Sequence, residues 1–257
     1  MKYGSSLSGQ VALVTGASGG IGAAITRTLA AQGVAVAVHY YRQEEKARSL
    51  MQEVRSSGGQ AIAVQADCSE PSEVQRLTQT VVDELGPISI LINNAAPSYA
   101  FDATRRDAFE SVDWKDYQTQ YDGIVKAAFL TCQAVLPGMR ERQFGRIVSI
   151  LTNLVFNPEV VYHAYTTAKS SLLGFSRTLA VDVGSCGITV NLIAPGLIAE
   201  TGLSAHHTEM TLNDVAKRTP LGRVGRPQDI ADAALYLVST SFVTGTCLVV
   251  DGGLTMR

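Results

Sequence analysis

Cysteine is scarce and scattered in this chain. Cys68, Cys132, Cys186 and Cys247 stand far apart, with no Cys-x-x-Cys pair and no Cys/His spacing that suits a metal. This usage excludes a disulfide scaffold and a metal module, and it reads as reduced thiols in a reducing compartment. Runs of Lys or Arg are missing too. The 21 basic residues nearly balance the 23 acidic ones, for a formal charge of −2, so the basic footprint of a nucleic-acid binder is absent. Long apolar runs are also lacking. After Met1-Lys2-Tyr3-Gly4-Ser5, the first such run, Val11-Ala12-Leu13-Val14, breaks at Thr15-Gly16. It is too short for a signal peptide or a membrane span, and a cytoplasmic enzyme is the expectation. With 46% hydrophobic and 17% charged residues, the composition excludes disorder.

What is present is a rhythm. Short, β-branched, continuously apolar runs fall at Val11–Thr15, Val34–His39, Ala61–Gln65, Ile88–Ile92, Arg146–Ile150, Thr189–Ile193 and Thr246–Val250. Such runs suit strands buried on both faces of a parallel sheet. Amphipathic stretches near 20–32, 43–57, 71–85, 113–142, 163–184 and 227–238 lie between them. Gly33 and Gly58-Gly59 stop helices, and Pro71 and Pro227 start them. The alternation predicts an α/β fold: a doubly wound, Rossmann-type, parallel seven-stranded sheet with helices on both faces. No linker divides it, so residues 1–257 form one expected domain. The polar stretch 199–219, with His206-His207, breaks the rhythm and reads as a substrate lid, or as an ordinary surface loop with a helix in it.

The first strand runs into Thr15-Gly16-Ala17-Ser18-Gly19-Gly20-Ile21-Gly22, and a helix follows. Gly16, Gly20 and Gly22 permit a tight turn and close backbone approach. A helix N-terminus offers unpaired N–H groups and a positive dipole end to a pyrophosphate. Strand, glycine loop and helix in that order point to a dinucleotide site.

The Thr-Gly-x-x-x-Gly-x-Gly spacing resembles the short-chain dehydrogenase/reductase family, and further motifs carry the resemblance along the chain. These are Asn93-Asn94-Ala95-Ala96, Tyr165-Thr166-Thr167-Ala168-Lys169, Asn191 with Pro195-Gly196, the Pro220–Pro227 segment and Val250-Asp251-Gly252-Gly253. Only 97–112 and the lid match poorly. The resemblance implies that Gly16, Ser18, Gly20, Ile21 and Gly22 form the pyrophosphate loop. Asp67 would accept from the adenine amino group, with Cys68 contributing backbone. Asn94 and Ala95 would contact the adenosine ribose, although an Asn pair also serves to cap a strand. Pro195, Gly196 and Ile198 complete the implied cofactor contacts. After the second strand, His39-Tyr40-Tyr41-Arg42 offers no acidic acceptor for a ribose 2′-hydroxyl. With Tyr41 beside it, Arg42 suits a 2′-phosphate, so NADP(H) is favoured over NAD(H). Many NADPH-dependent relatives carry a second basic residue where this chain has Gly19.

Carbonyl reduction needs a hydride on carbon and a proton on oxygen. A phenol is a poor acid at neutral pH, and a nearby cation lowers its pKa. Tyr165 and Lys169 are four apart in a helical stretch, one turn apart on one face. The resemblance makes them the proton-transfer pair, the lysine also holding the nicotinamide ribose. Thr152 stands thirteen residues before the tyrosine, where the family usually has serine; it keeps the hydroxyl. Ile124 stands where an asparagine normally supports a proton relay, and Asn153 is a candidate to rebuild it.

In texture the chain is similar to bacterial 3-oxoacyl-(acyl carrier protein) reductase-like members. The resemblance implies a β-ketoacyl thioester substrate, possible presentation by an acyl carrier protein, and a homotetramer built on helices 113–140 and 163–184 and on the last strand. The substrate pocket would form from Ala96–Tyr99, Leu154–Tyr162 and 199–217. An alcohol or sugar dehydrogenase, and a catalytically quiet cofactor-binding subunit, stay open as alternatives. No metal, nucleic acid or membrane is expected.

Overall fold

Val11–Val14 is too apolar to leave either of its faces in water, and this strand (β1) lies in the middle of the sheet with all four residues buried. The structure, a computed structural model, describes residues 7–97, 108–202, 204 and 207–256. The remaining strands are β2 (Ala35–Tyr40), β3 (Ala61–Gln65), β4 (Ile90–Asn93), β5 (Gly145–Ile150), β6 (Ile188–Pro195) and β7 (Cys247–Val250). The sheet is parallel throughout, in the order β3-β2-β1-β4-β5-β6-β7.

Side chains alternate across a strand. Ala12 and Val14 enter one core with Ile25, Leu29 and Leu237, while Val11 and Leu13 enter the other with Leu77, Val81 and Met139. Helices α1 (Gly20–Ala30), α2 (Glu44–Ser56) and α8 (Pro227–Ser239) cover the first face. Helices α3 (Pro71–Leu85), α5 (Ala127–Glu141) and α6 (His163–Val183) cover the second. Pro71 and Pro227 stand in the first turns of α3 and α8, as the sequence indicates. Among the described residues no helix is long and apolar enough to cross a membrane.

Winding reverses between β1 and β4, so the chain leaves these neighbours in opposite directions and a crevice opens beyond their carboxyl ends. The glycine loop follows β1 and Asn94 follows β4, which puts both at the crevice.

Two stretches differ from expectation. The helix expected over 113–142 is split into α4 (Trp114–Gln120), a π-helical turn (Tyr121–Lys126) and α5. Gly123, inside that turn, lies so close to Pro97 that a Cβ would strike its ring. Helical periodicity in sequence does not report such a turn, because apolar residues still recur through it. Within 199–219, α7 (Glu209–Arg218) begins at Thr208, whose hydroxyl accepts from Thr211 N at 3.2 Å.

Candidate active site

The loop after β1 needs its glycines for distinct reasons. Gly16 and Gly20 have φ of +63° and +51°, where a side chain strains the backbone. A Cβ on Gly22 would run into the Gly16 carbonyl and stand 2.7 Å from Asn94 Nδ2. Around Gly19 a Cβ would meet nothing within 4 Å, so this side of the loop is an open cradle. No side chain caps α1 at Gly19, and its first N–H groups remain for an anion. The residues present therefore fit a dinucleotide pyrophosphate. Thr15 ties the loop to β4: its Oγ1 donates to Ile92 O at 3.2 Å and accepts from Asn94 N and Ala95 N, both at 3.0 Å. Asn94 Nδ2 donates to the carbonyls of Thr15 and Gly16, each at 3.0 Å. Its amide hydrogens thus hold the loop, and Oδ1 keeps its acceptor capacity.

At the far end of the crevice, Asp67 follows β3. Burial alone would raise its pKa, but hydrogen bonds from Ser69 N and Oγ (2.9 and 2.7 Å), Lys126's charge and the Tyr41 hydroxyl hold it below the usual carboxylate range. Arg42 lies over the Tyr41 ring, 5.0 Å from its centroid. Tyr41, Arg42 and Asp67 thus form one cluster at the ends of β2 and β3. Burial pushes the Cys68 thiol up to about 12, so it is not a nucleophile.

Tyr165 and Lys169 share one face of α6, buried at 7% and 3% exposure. With Thr152, Ile21, Asn94 and Gly196 they line a cavity of 380 Å³. Pro195 and Ile198 lie on the same wall. The Thr152 hydroxyl hydrogen-bonds the Tyr165 phenol and also accepts from Leu154 N at 3.4 Å. Lys169 Nζ donates to Ile150 O at 2.6 Å and lies 5.8 Å from the Tyr165 ring centroid. The pKa pattern corrects the expectation of a depressed phenol. Burial raises Tyr165 to about 12, against the Thr152 hydrogen bond, and lowers Lys169 to about 8. The physical reason is desolvation, which disfavours both charged forms, while the ammonium is turned onto a backbone carbonyl.

Asn153 lines the same cavity as Tyr165 and Lys169. Its Nδ2 donates to Asp251 Oδ2 at 3.1 Å and reaches Thr255 Oγ1 at 3.4 Å, so its amide hydrogens are engaged by the segment after β7. Ile124 sits instead on a separate chamber of 10 Å³ that it shares with Lys169, Asn93, Thr131 and Cys68.

Opposite the glycine loop, the cavity is walled by Leu151, Leu154, Val160, Tyr162, Leu197 and Leu254. At its mouth Arg218 Nη1 of α7 pairs with Glu159 Oε2 at 2.6 Å. Ser98 and Tyr99, expected on the pocket, and Leu203, Ala205 and His206 of the 199–219 stretch lie outside the described residues. Thr201, within the 199–217 stretch expected on the pocket, lines the cavity against Gly20. The contributor that the sequence does not single out is His39, an imidazole at the end of an apolar strand, whose only sequence signal is that position.

A family model described as enoyl-(acyl carrier protein) reductase matches residues 16–255. The 3-oxoacyl-[acyl-carrier-protein] reductase of Synechocystis sp. is 36% identical, over 97% of this chain and 98% of that protein. Glucose 1-dehydrogenase 2 of Bacillus subtilis is 32% identical, over 97% and 96%. Among solved structures, a blue fluorescent protein from a metagenomic library in complex with NADPH is similar at a TM-score of 0.88 and 35% identity, over 98% of this chain and 100% of that one. A 7α-hydroxysteroid dehydrogenase complexed with NADH and 7-oxo glycochenodeoxycholic acid gives 0.87 and 33%, over 96% and 94%. Together with the site, these likenesses define an NAD(P)-dependent oxidoreductase. Within that class, the chain belongs to the short-chain dehydrogenase/reductase family.

Proposed function

We propose that the enzyme is an NADP(H)-dependent carbonyl reductase that converts a 3-oxoacyl thioester to its 3-hydroxy form, with Tyr165 as proton donor. The observation that carries this reading is the meeting of Tyr165, Lys169 and Thr152 on one wall of a cavity bordered by the glycine loop. When bound, the reduced nicotinamide supplies a hydride to the carbonyl carbon. Tyr165 stays protonated far above neutral pH, so a proton stands ready at its oxygen. The Thr152 hydroxyl supports that oxygen as charge develops on it. Lys169, at about 8, is charged at neutral pH and favours the phenolate as it forms. It also titrates close enough to the working pH to return the proton.

Gly16, Ser18, Gly20, Ile21 and Gly22 take the pyrophosphate in this reading, and Asp67, Cys68, Asn94 and Ala95 the adenosine. Pro195, Gly196 and Ile198 flank the nicotinamide. Arg42, beside Tyr41, takes the 2′-phosphate, since no acidic side chain stands at the end of β2. The apolar inner wall suits an acyl chain, and 199–219 acts as its lid on a single domain spanning 1–257. A homotetramer is supported by exposed Phe129 on α5, Val181 on α6 and Phe242 before β7. An acyl carrier protein is the proposed donor of the thioester.

The polar mouth, with Asn157, Glu159, Asp214 and Arg218, favours one rival reading, an alcohol or sugar dehydrogenase. Both readings are tested by following nicotinamide absorbance with acetoacetyl thioester, simple ketones, secondary alcohols and glucose, each with either dinucleotide. NADPH-dependent reduction of the thioester is expected. Turnover of alcohols or sugars alone would favour the rival, and dinucleotide binding without turnover on the whole panel would overturn both.

A further inference from the structure

His39 is 2% exposed at the end of β2, and both its ring nitrogens and its carbonyl have partners around the cofactor crevice. Nδ1 lies 3.0 Å from Gly16 N, the first glycine of the loop. The carbonyl of the same residue accepts from Ala17 N at 2.9 Å. On its other side, Nε2 lies 2.9 Å from Ala66 O, the residue before Asp67, and 3.4 Å from Cys68 Sγ. A backbone N–H can only donate, so Nδ1 must be the acceptor. A carbonyl can only accept, so Nε2 carries the proton. One tautomer alone satisfies both contacts, and it is neutral.

We propose that His39 is a positioning residue for the dinucleotide: as the neutral Nε2–H tautomer it clamps the phosphate loop to the adenine side of the crevice, and protonation of its ring weakens cofactor binding. The inference rests on the reading that the dinucleotide lies along the glycine loop and Asp67. Protonation at Nδ1 would set an N–H against the N–H of Gly16, so the clamp and the imidazolium exclude each other. Burial pushes the His39 pKa below its ordinary value, opposed by the Ala66 carbonyl and by Asp67's charge. The titratable groups facing the ring are Asp67 and Cys68, with Glu73 of α3 behind them, its carboxylate accepting from Asp67 N at 2.7 Å. On the loop side, Thr15 to Ser18 bring no titratable side chain. The ring is therefore neutral near pH 7 and the clamp is made. As pH falls through the lowered pKa, the clamp is lost.

The test is a fluorescence titration of NADH and NADPH between pH 5 and 7.5 on the wild type, His39→Asn and His39→Phe. NADH is the clean probe, because the 2′-phosphate of NADPH itself titrates near pH 6, about where phosphate monoesters do. For the wild type, the NADH Kd should rise by up to roughly tenfold per unit once pH is below the His39 pKa. His39→Phe leaves the Gly16 N–H without its acceptor, and at pH 7.5 its Kd should rise about 5- to 100-fold. In His39→Asn an amide oxygen takes the place of Nδ1. This variant should recover most of the affinity at pH 7.5 and show no acid loss, which separates positioning from packing even if His39→Phe fails to fold. A His39→Phe variant that folds and keeps the wild-type NADH Kd at pH 7.5, or an Asn variant that shows the acid loss of the wild type, would overturn the clamp while leaving the cofactor reading intact. Failure of either dinucleotide to bind the wild type at any pH would overturn the cofactor reading and the clamp together.

Discussion

Around the glycine loop, polar side chains are tied to backbone. Thr15, His39 and Asn94 bridge β1, β2, β3 and β4 through buried or half-buried hydrogen bonds. Across the cleft, the 157–161 loop and α7 meet at Arg218 and Glu159, whose side chains are 53% and 28% exposed. The first half is preorganised, and a ligand entering it finds its donors already aimed. The second can re-pack at little cost, since an exposed ion pair contributes about 0–1 kcal/mol. A fixed cofactor side facing an adaptable substrate side is how one family scaffold accepts many substrates.

The sharpest way to separate the halves is Tyr165→Phe. It removes the proposed proton donor and leaves the loop web untouched. Turnover should fall by about 10²–10⁴, the usual worth of a positioned general acid, while dinucleotide Kd stays within about twofold because the web still aims the loop. Steady-state rates beside a fluorescence titration read both. An equal loss of binding would show that the two halves are not independent.

Lys169→Met sharpens the comparison from the side of stability. A buried ammonium lowered from 10.5 to about 8 costs folding energy below pH 8. The unfolded chain binds more protons between those values, so wild-type stability rises with pH across that window. Tyr165, raised from 10.0 to about 12, acts oppositely above pH 10, where the unfolded chain loses its proton first. At pH 7 the variant should be more stable by ~1–3 kcal/mol, the hydrogen bond to Ile150 O offsetting part of the gain, yet nearly inactive. Urea melts at pH 7 and pH 9.5 measure this, and the gain should shrink at the higher pH. A less stable variant at pH 7 would mean that the ammonium is held more favourably than its burial implies.

Arg42→Ala probes the outer edge of the preorganised half. NADPH affinity should drop by about tenfold, the order expected for one charge-assisted contact at an exposed site, with NADH unchanged. Equal effects on both dinucleotides would remove the assignment of the 2′-phosphate to Arg42.

Legibility in the sequence follows the same divide. The strands could be read because parallel strands buried on both faces appear as unbroken apolar runs, as in Val11–Val14. Tyr165, Lys169 and the glycine loop could be read because local geometry sets their spacing. The π turn over Tyr121–Lys126 could not, since apolar residues still recur through it, and the close approach of Gly123 to Pro97 is made only in the folded chain. His39 stood among residues weighed for cofactor choice, and only the pairing of β1 with β2 brings its ring to Gly16. The partner of Asn153 lies 98 residues further along. The directions of the Tyr165 and Lys169 shifts follow from burial, which a motif does not carry.

The smallest effect is expected where the walls of the substrate half meet. Arg218→Ala cuts the contact between α7 and the 157–161 loop at a site where solvent already screens the charges. If this wall is adaptable, KM for the thioester should shift by less than about fivefold, the ceiling set by an exposed pair, with kcat and dinucleotide Kd unaltered. The sign of the shift is informative. A lower KM would mean that the ion pair restrains entry and that α7 must move for substrate to pass. A higher KM would mean that Arg218 itself touches the substrate's polar end. A fall in kcat of tenfold or more would contradict the division, because it would tie the mouth of the cavity to the Tyr165 proton through an ion pair that is exposed to solvent.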